Sequence, residues 1–127
     1  MVEVFPHAAR SYRLEELGSM TAKLRMVPTE DNLRPGGSVS GPTLFGLADC
    51  AMYYAVLAMI GPEVLAVTTS SSIDFMRKPA AGKDLIADVE LLKMGRSLAV
   101  GDVKITSEGQ DGVVARATLT YSIPPKR

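Results

Sequence analysis

The chain has 127 residues, 46% of them hydrophobic, which is enough for one domain with a substantial core and too short for two ordinary ones. Fourteen Lys and Arg balance fourteen Asp and Glu, so the formal net charge is zero and the electrostatic case for a nucleic-acid partner is absent. A single histidine (His7) and a single cysteine (Cys50) exclude a His-based metal cluster and an internal disulfide, and make a Ser-His-Asp triad improbable.

Met1 to Arg13 carries no apolar segment of the secretory-signal type. With one thiol in an apolar run, this predicts a reducing, cytoplasmic setting and an inert Cys50. Ser19 to Val27 then alternates. Met20, Ala22, Leu24 and Met26 point one way and Thr21, Lys23 and Arg25 the other, the pattern of a half-buried strand. Pro28 to Val39, with Asn32, Pro35, Gly36 and Gly37, reads as a loop.

Pro42 to Ile60 is expected to form one long helix. Pro42 suits the first helical position, Ser40 or Gly41 can cap it, and Gly61-Pro62 stops it. The segment is apolar almost all round, so it should be buried. It is nearly long enough to cross a bilayer, but Asp49 at its middle argues against a span.

Four strand-like segments follow: Leu65 to Met76, Asp84 to Met94, Ser97 to Ser107 and Gly112 to Ile123. The connections between them are short and bear Gly or Pro, which predicts an antiparallel meander. Apolar parity switches between Leu98, Val100 and Val103, Ile105, so a bulge is expected at Gly101. A single sheet covers only part of an apolar helix and leaves its own edge open, so self-assembly is expected.

Asp49 is the only charged residue between Arg34 and Glu63. A lone carboxylate in an apolar helix costs several kcal/mol to bury unless it is paired or protonated. It is either a helix Asp that reaches solvent or a backbone partner, or a general base or nucleophile. Ser40-Gly41-Pro42 opens the helix, where backbone N–H groups lack intrahelical partners and the dipole favours negative charge. Such an end is either a plain cap or a cradle for a developing oxyanion.

Gly36 and Gly41 imitate a phosphate-binding loop, but Pro42 stands where its lysine belongs. Neither Ser38 nor Ser40 has the flanking glycines of a nucleophile elbow. Thr68 and Thr69 begin a run of five hydroxyl residues that could line a polar pocket. Arg77, Lys78, Lys93 and Arg96 could form a basic rim for a phosphorylated ligand.

Taken in order, Ser40-Gly41-Pro42, Leu47-Ala48-Asp49, Thr68, the run Ile73 to Ala80 and Gly95-Arg96 resemble the PaaI-like (phenylacetic-acid-degradation type) hot-dog thioesterases over roughly Ser19 to Ile123. The resemblance implies an α+β hot-dog fold in one domain, with a long helix wrapped by an antiparallel sheet. It also implies a homodimer or homotetramer that hydrolyses acyl-CoA thioesters, with no cofactor beyond the CoA of the substrate. By the same resemblance Asp49 matches the catalytic aspartate, Gly41 the glycine whose N–H polarises the carbonyl, and Thr68 a hydroxyl residue that helps position water. Two positions depart from the family: Ser40 stands where a His is usual, and Arg34 where an Asn is usual, both being candidate substrate contacts. The sequence therefore admits a non-catalytic acyl-CoA binder as the alternative. A hot-dog dehydratase is disfavoured, since those generally use a His in the helix region and this helix has none.

Overall fold

The computed structural model describes residues 12–27, 41–61, 66–79 and 82–124. The elements in chain order are β1 (Tyr12–Gly18), β2 (Thr21–Met26), α1 (Gly41–Ile60), β3 (Val67–Phe75), β4 (Leu85–Met94), β5 (Leu98–Ser107) and β6 (Val113–Ser122). The strands form one antiparallel sheet in the order β1-β2-β4-β5-β6-β3, with α1 packed on one face. This is the helix-on-sheet layout that the resemblance implies.

The core lies between helix and sheet. Leu44, Leu47, Ala48, Ala51, Met52 and Val56 of α1 are buried, and they meet alternate residues of the sheet such as Leu24, Met26, Val103 and Leu119. Burying side chains of this size contributes about 1.5–3 kcal/mol each. The helix is long and apolar enough to cross a membrane, and more than half of that window is buried within the fold. Cys50 is a buried free thiol, as expected.

Four expectations need correction. First, the helix begins at Gly41, so Gly41 is a helical residue and not a cap; Ser40, the other capping candidate, lies outside the described residues, as do Arg34, Pro62 and the loop that precedes the helix.

Second, a strand precedes the one read from Ser19 to Val27. Tyr12 and Leu14 share a face with Leu17 only because the register shifts at Glu15, and this bulge hides the period-two pattern. Arg25 holds the bulge, donating to Glu15 at 3.0 Å, to Asp84 at 2.8 Å and to Glu108 at 2.9 Å. Met20 sits in the β1–β2 turn with φ 67° rather than in a strand.

Third, the four C-terminal strands are not a meander. β4, β5 and β6 are, but β3 lies at the far edge beside β6, and β4 pairs with β2. The exit of β3 is tied to the β6 side, where the N–H groups of Met76 and Arg77 both donate to the Val114 carbonyl. β3 and β4 are therefore not partners of a hairpin.

Fourth, β5 keeps one parity throughout, with Ala99, Gly101, Val103, Ile105 and Ser107 facing the helix. The bulge sits in the neighbouring strand, at Leu92, where the register shifts between Leu91 and Lys93. Gly101 is glycine for a packing reason. A Cβ there would overlap Met52 Sδ and stand 3.0 Å from Met52 Cε and 3.3 Å from Leu91 Cδ2. Met52 is fully buried. Gly101→Ala is therefore expected to destabilise by about 1–3 kcal/mol, as overpacking does. Urea unfolding reads this directly, and an unchanged midpoint would mean that Met52 moves aside at no cost.

Candidate active site

Asp49 sits in the third turn of α1 and is half-buried. The helix turns it toward β3 and β6, and two hydroxyls meet it there. Thr68 Oγ1 donates to Asp49 Oδ1 at 2.7 Å, and the Tyr121 hydroxyl lies 2.8 Å from the same oxygen and 2.9 Å from the Asp49 main-chain carbonyl. Hydrogen bonds to an ionised carboxylate are the strong, short kind.

The sheet builds this arrangement from distant sequence. Thr68 and Tyr121 are direct cross-strand partners on β3 and β6, and both face the helix. The strand register then shifts between Thr68 and Ser70. The extra residue, Thr69, donates its hydroxyl to the Thr120 carbonyl at 3.2 Å. Without this bulge, strict alternation would turn either Thr68 or the pair Ile73 and Phe75 away from the helix. With it, Thr68 reaches Asp49 at one end of the strand and Phe75 reaches Gly41 at the other. A Cβ on Gly41 would lie 3.2 Å from the tip of the Phe75 ring. Thr69, expected to line a polar pocket, is exposed and gives its hydrogen bond to the neighbouring strand.

Around this centre the environment is apolar. Burial pushes the Cys50 thiol up to about 12, aided by the charge of Asp49 and opposed by a hydrogen bond with Tyr12. Cys50 therefore stays an uncharged thiol at neutral pH and is no nucleophile. Burial likewise pushes the Tyr121 phenol well above its ordinary value, so its proton stays in place. Tyr121 is only 2% exposed and its ring packs at a tilt on Tyr53, with centroids 6.5 Å apart.

The sequence reading did not single out Tyr121. The available signal was its place in the period-two run of β6, where it is the one inward residue with a polar tip. A buried phenol nearly always has a partner.

The proposed basic rim does not exist within one chain. Arg77 and Lys78 follow β3 at the end where β6 begins, while Lys93 and Arg96 belong to the β4–β5 hairpin at the end where β6 finishes. A strand of β6's length separates the pairs by roughly 30 Å. Arg77 is also engaged: its guanidinium donates to the carbonyls of Val113 at 3.1 Å and Asp111 at 3.4 Å, and it lies against Gly112. Lys78, Lys93 and Arg96 are exposed.

Known proteins share this framework. Residues 36–121 match the family model described as Thioesterase superfamily. The chain is 33% identical over 92 residues to the acyl-coenzyme A thioesterase PaaI of Escherichia coli, a match that covers 72% of this chain and 64% of that protein's length. Among solved structures, a candidate thioesterase from a Silicibacter species superposes with a TM-score of 0.92 at 52% identity, over 98% of this chain and 86% of that one. A Streptococcus mutans protein bound to acetyl-CoA superposes with a TM-score of 0.79 at 25% identity, over 91% and 90% of the respective chains.

Proposed function

The chain belongs to the thioesterase superfamily, and from that membership we propose that it hydrolyses an acyl-CoA thioester to a free acid and CoA. The observation that carries this reading is the Asp49 carboxylate, held by Thr68 and Tyr121 in the middle of an otherwise apolar helix. As a general base, Asp49 takes a proton from water while the water oxygen attacks the carbonyl carbon. The C–S bond then breaks, and the departing thiolate takes up the proton. As a nucleophile, Asp49 instead attacks the carbonyl carbon and expels the thiolate, and water then cleaves the resulting anhydride to the free acid and the regenerated carboxylate, its proton going to the thiolate. The Gly41 N–H, in the first turn of α1, polarises the carbonyl oxygen, and the helix dipole adds to it. The name of the Escherichia coli relative and the acetyl-CoA bound by the Streptococcus mutans protein support the substrate class.

The site is proposed to be shared by two copies of the chain. Gly41 and Asp49 are eight residues apart, about 12 Å along a helix. A base and an oxyanion donor that serve one carbonyl must each lie within roughly 3 Å of its reacting atoms. One helix does not bring both there. β3 is an edge strand, paired only with β6 among the described residues and exposed along most of its length. Its Val67 is 58% and its Phe75 54% exposed. If two copies pair antiparallel through β3, the Phe75 end of one meets the Thr68 end of the other. Gly41 then approaches the partner's Asp49, and a two-fold axis generates two equivalent sites. The same pairing brings Arg77 and Lys78 toward the partner's Lys93 and Arg96, which restores a basic rim across the interface. The assembly is thus a homodimer, or a homotetramer built from two. The inert Cys50 thiol fits a cytoplasmic protein.

A panel of acyl-CoAs, each compared with the matching acyl-pantetheine and scored by release of free thiol, tests this function. Turnover of an acyl-CoA is the expected result, with the pantetheine ester poorer and the difference shrinking as salt rises. Tight binding of acyl-CoA without thiol release would instead identify a non-catalytic acyl-CoA-binding protein. Equal turnover of both substrate types would remove the basic rim from the account.

A further inference from the structure

We propose that Tyr121 is a positioning residue of the reaction, one that acts solely through Asp49 and decides which of its carboxylate oxygens is free to react. The proposal rests on the reading of Asp49 as base or nucleophile.

Three observations carry it. The Tyr121 hydroxyl stands 2.8 Å from Asp49 Oδ1 and 2.9 Å from the main-chain carbonyl of the same residue. One phenol thereby touches both the side chain and the backbone of a single aspartate, which holds the carboxylate folded back against its own helix. Thr68 donates to the same Oδ1 at 2.7 Å. Both hydroxyls converge on one oxygen, Oδ1. Finally, Tyr121 itself is fixed. Its ring is buried against Tyr53 near the end of β6, in register with Ala99 on one side and Thr68 on the other.

A carboxylate on a free side chain rotates and presents either oxygen. Here Oδ1 is tethered twice, so Oδ2 is the oxygen left to take a proton or attack carbon. Orientation of this kind lowers the barrier to reaction without adding to substrate binding. Tyr121 is buried behind Asp49 and has no part in holding the substrate. Its loss should therefore appear in kcat and not in KM.

The test is a double-mutant cycle on acyl-CoA hydrolysis, with Tyr121→Phe, Asp49→Asn and the double variant. Tyr121→Phe keeps the ring and removes only the hydroxyl, and the urea midpoint verifies its fold. Loss of a hydrogen bond to a charged group corresponds to about a 10- to 100-fold fall in kcat, with KM changed less than about 2-fold. In the Asp49→Asn background, Tyr121→Phe should change the residual rate by less than about 2-fold, because the amide that Tyr121 would still hold has no basic or nucleophilic oxygen to present. The same fold-loss in both backgrounds, or a kcat unchanged by Tyr121→Phe beside an inactive Asp49→Asn, would overturn the role of Tyr121 alone. Full activity in Asp49→Asn would overturn the prior reading of Asp49, and that outcome is distinct from the other two.

Discussion

Asp49→Asn is expected to lower kcat for acyl-CoA hydrolysis by at least about 100-fold while the protein stays folded. The substitution is nearly isosteric. Its amide oxygen can occupy the Oδ1 position and still accept from Thr68 and Tyr121, so the contacts that join α1 to β3 and β6 survive. What the amide lacks is a charge, a basic oxygen and a nucleophile. The bland reading of Asp49, a helix residue that merely satisfies two hydroxyls, predicts the opposite pattern, with unchanged turnover and at most a shift in stability. Steady-state thiol release and urea unfolding on the same preparations separate the two. Unchanged turnover in a well-folded Asp49→Asn protein would end the catalytic assignment.

Subunit mixing carries the second large effect. Gly41→Pro removes the backbone N–H proposed to polarise the carbonyl, at a helix start where Pro is tolerated. Its ring would press on Phe75, which is more than half exposed and has room to yield. Gly41→Pro and Asp49→Asn homodimers should each be nearly dead. After equal mixing and full exchange, half of the dimers pair one variant with the other. Each such dimer then holds one site with both residues intact and one with neither. The mixture should regain about a quarter of wild-type activity, from two parents with almost none. No recovery after verified exchange, or full activity in a monomeric protein, would show that each chain builds its site alone. The geometry favours recovery, since Gly41 and Asp49 contact opposite ends of the same open-edged strand.

Part of this site was legible in the residues alone. Asp49 stood out because a charge in an apolar helix is costly, and that cost depends on composition along a short stretch of chain. Gly41 stood out because it lies where a helix must begin. Thr68 came from the family resemblance, and the structure bonds it to Asp49 directly. The basic rim was read from four charges that are near one another in sequence, and the sheet places them at opposite ends of β6.

Sequence by itself determined the elements whose signal is local. The helix ending at Ile60 follows from an apolar run, broken by one charge at Asp49 and closed by Gly61, and most of β6 from the alternation between Ala115 and Ile123, while a register shift at Val114 breaks the alternation expected from Val113. Tertiary structure decided everything that depends on which strand pairs with which. It placed β3 at the edge beside β6, added β1 across a bulge, moved the β4–β5 bulge to Leu92, and made Gly101 a gap for Met52. It also brought Tyr121 to an aspartate 72 residues earlier in the chain. Periodicity tells which face of a strand is buried, because that depends on neighbours two residues away. It does not name the partner strand, because pairing is chosen by how well distant segments together cover one helix and satisfy their backbone groups. The grip on Asp49 belongs to that second kind of information: Thr68 and Tyr121 share one carboxylate oxygen only once β3 and β6 lie side by side.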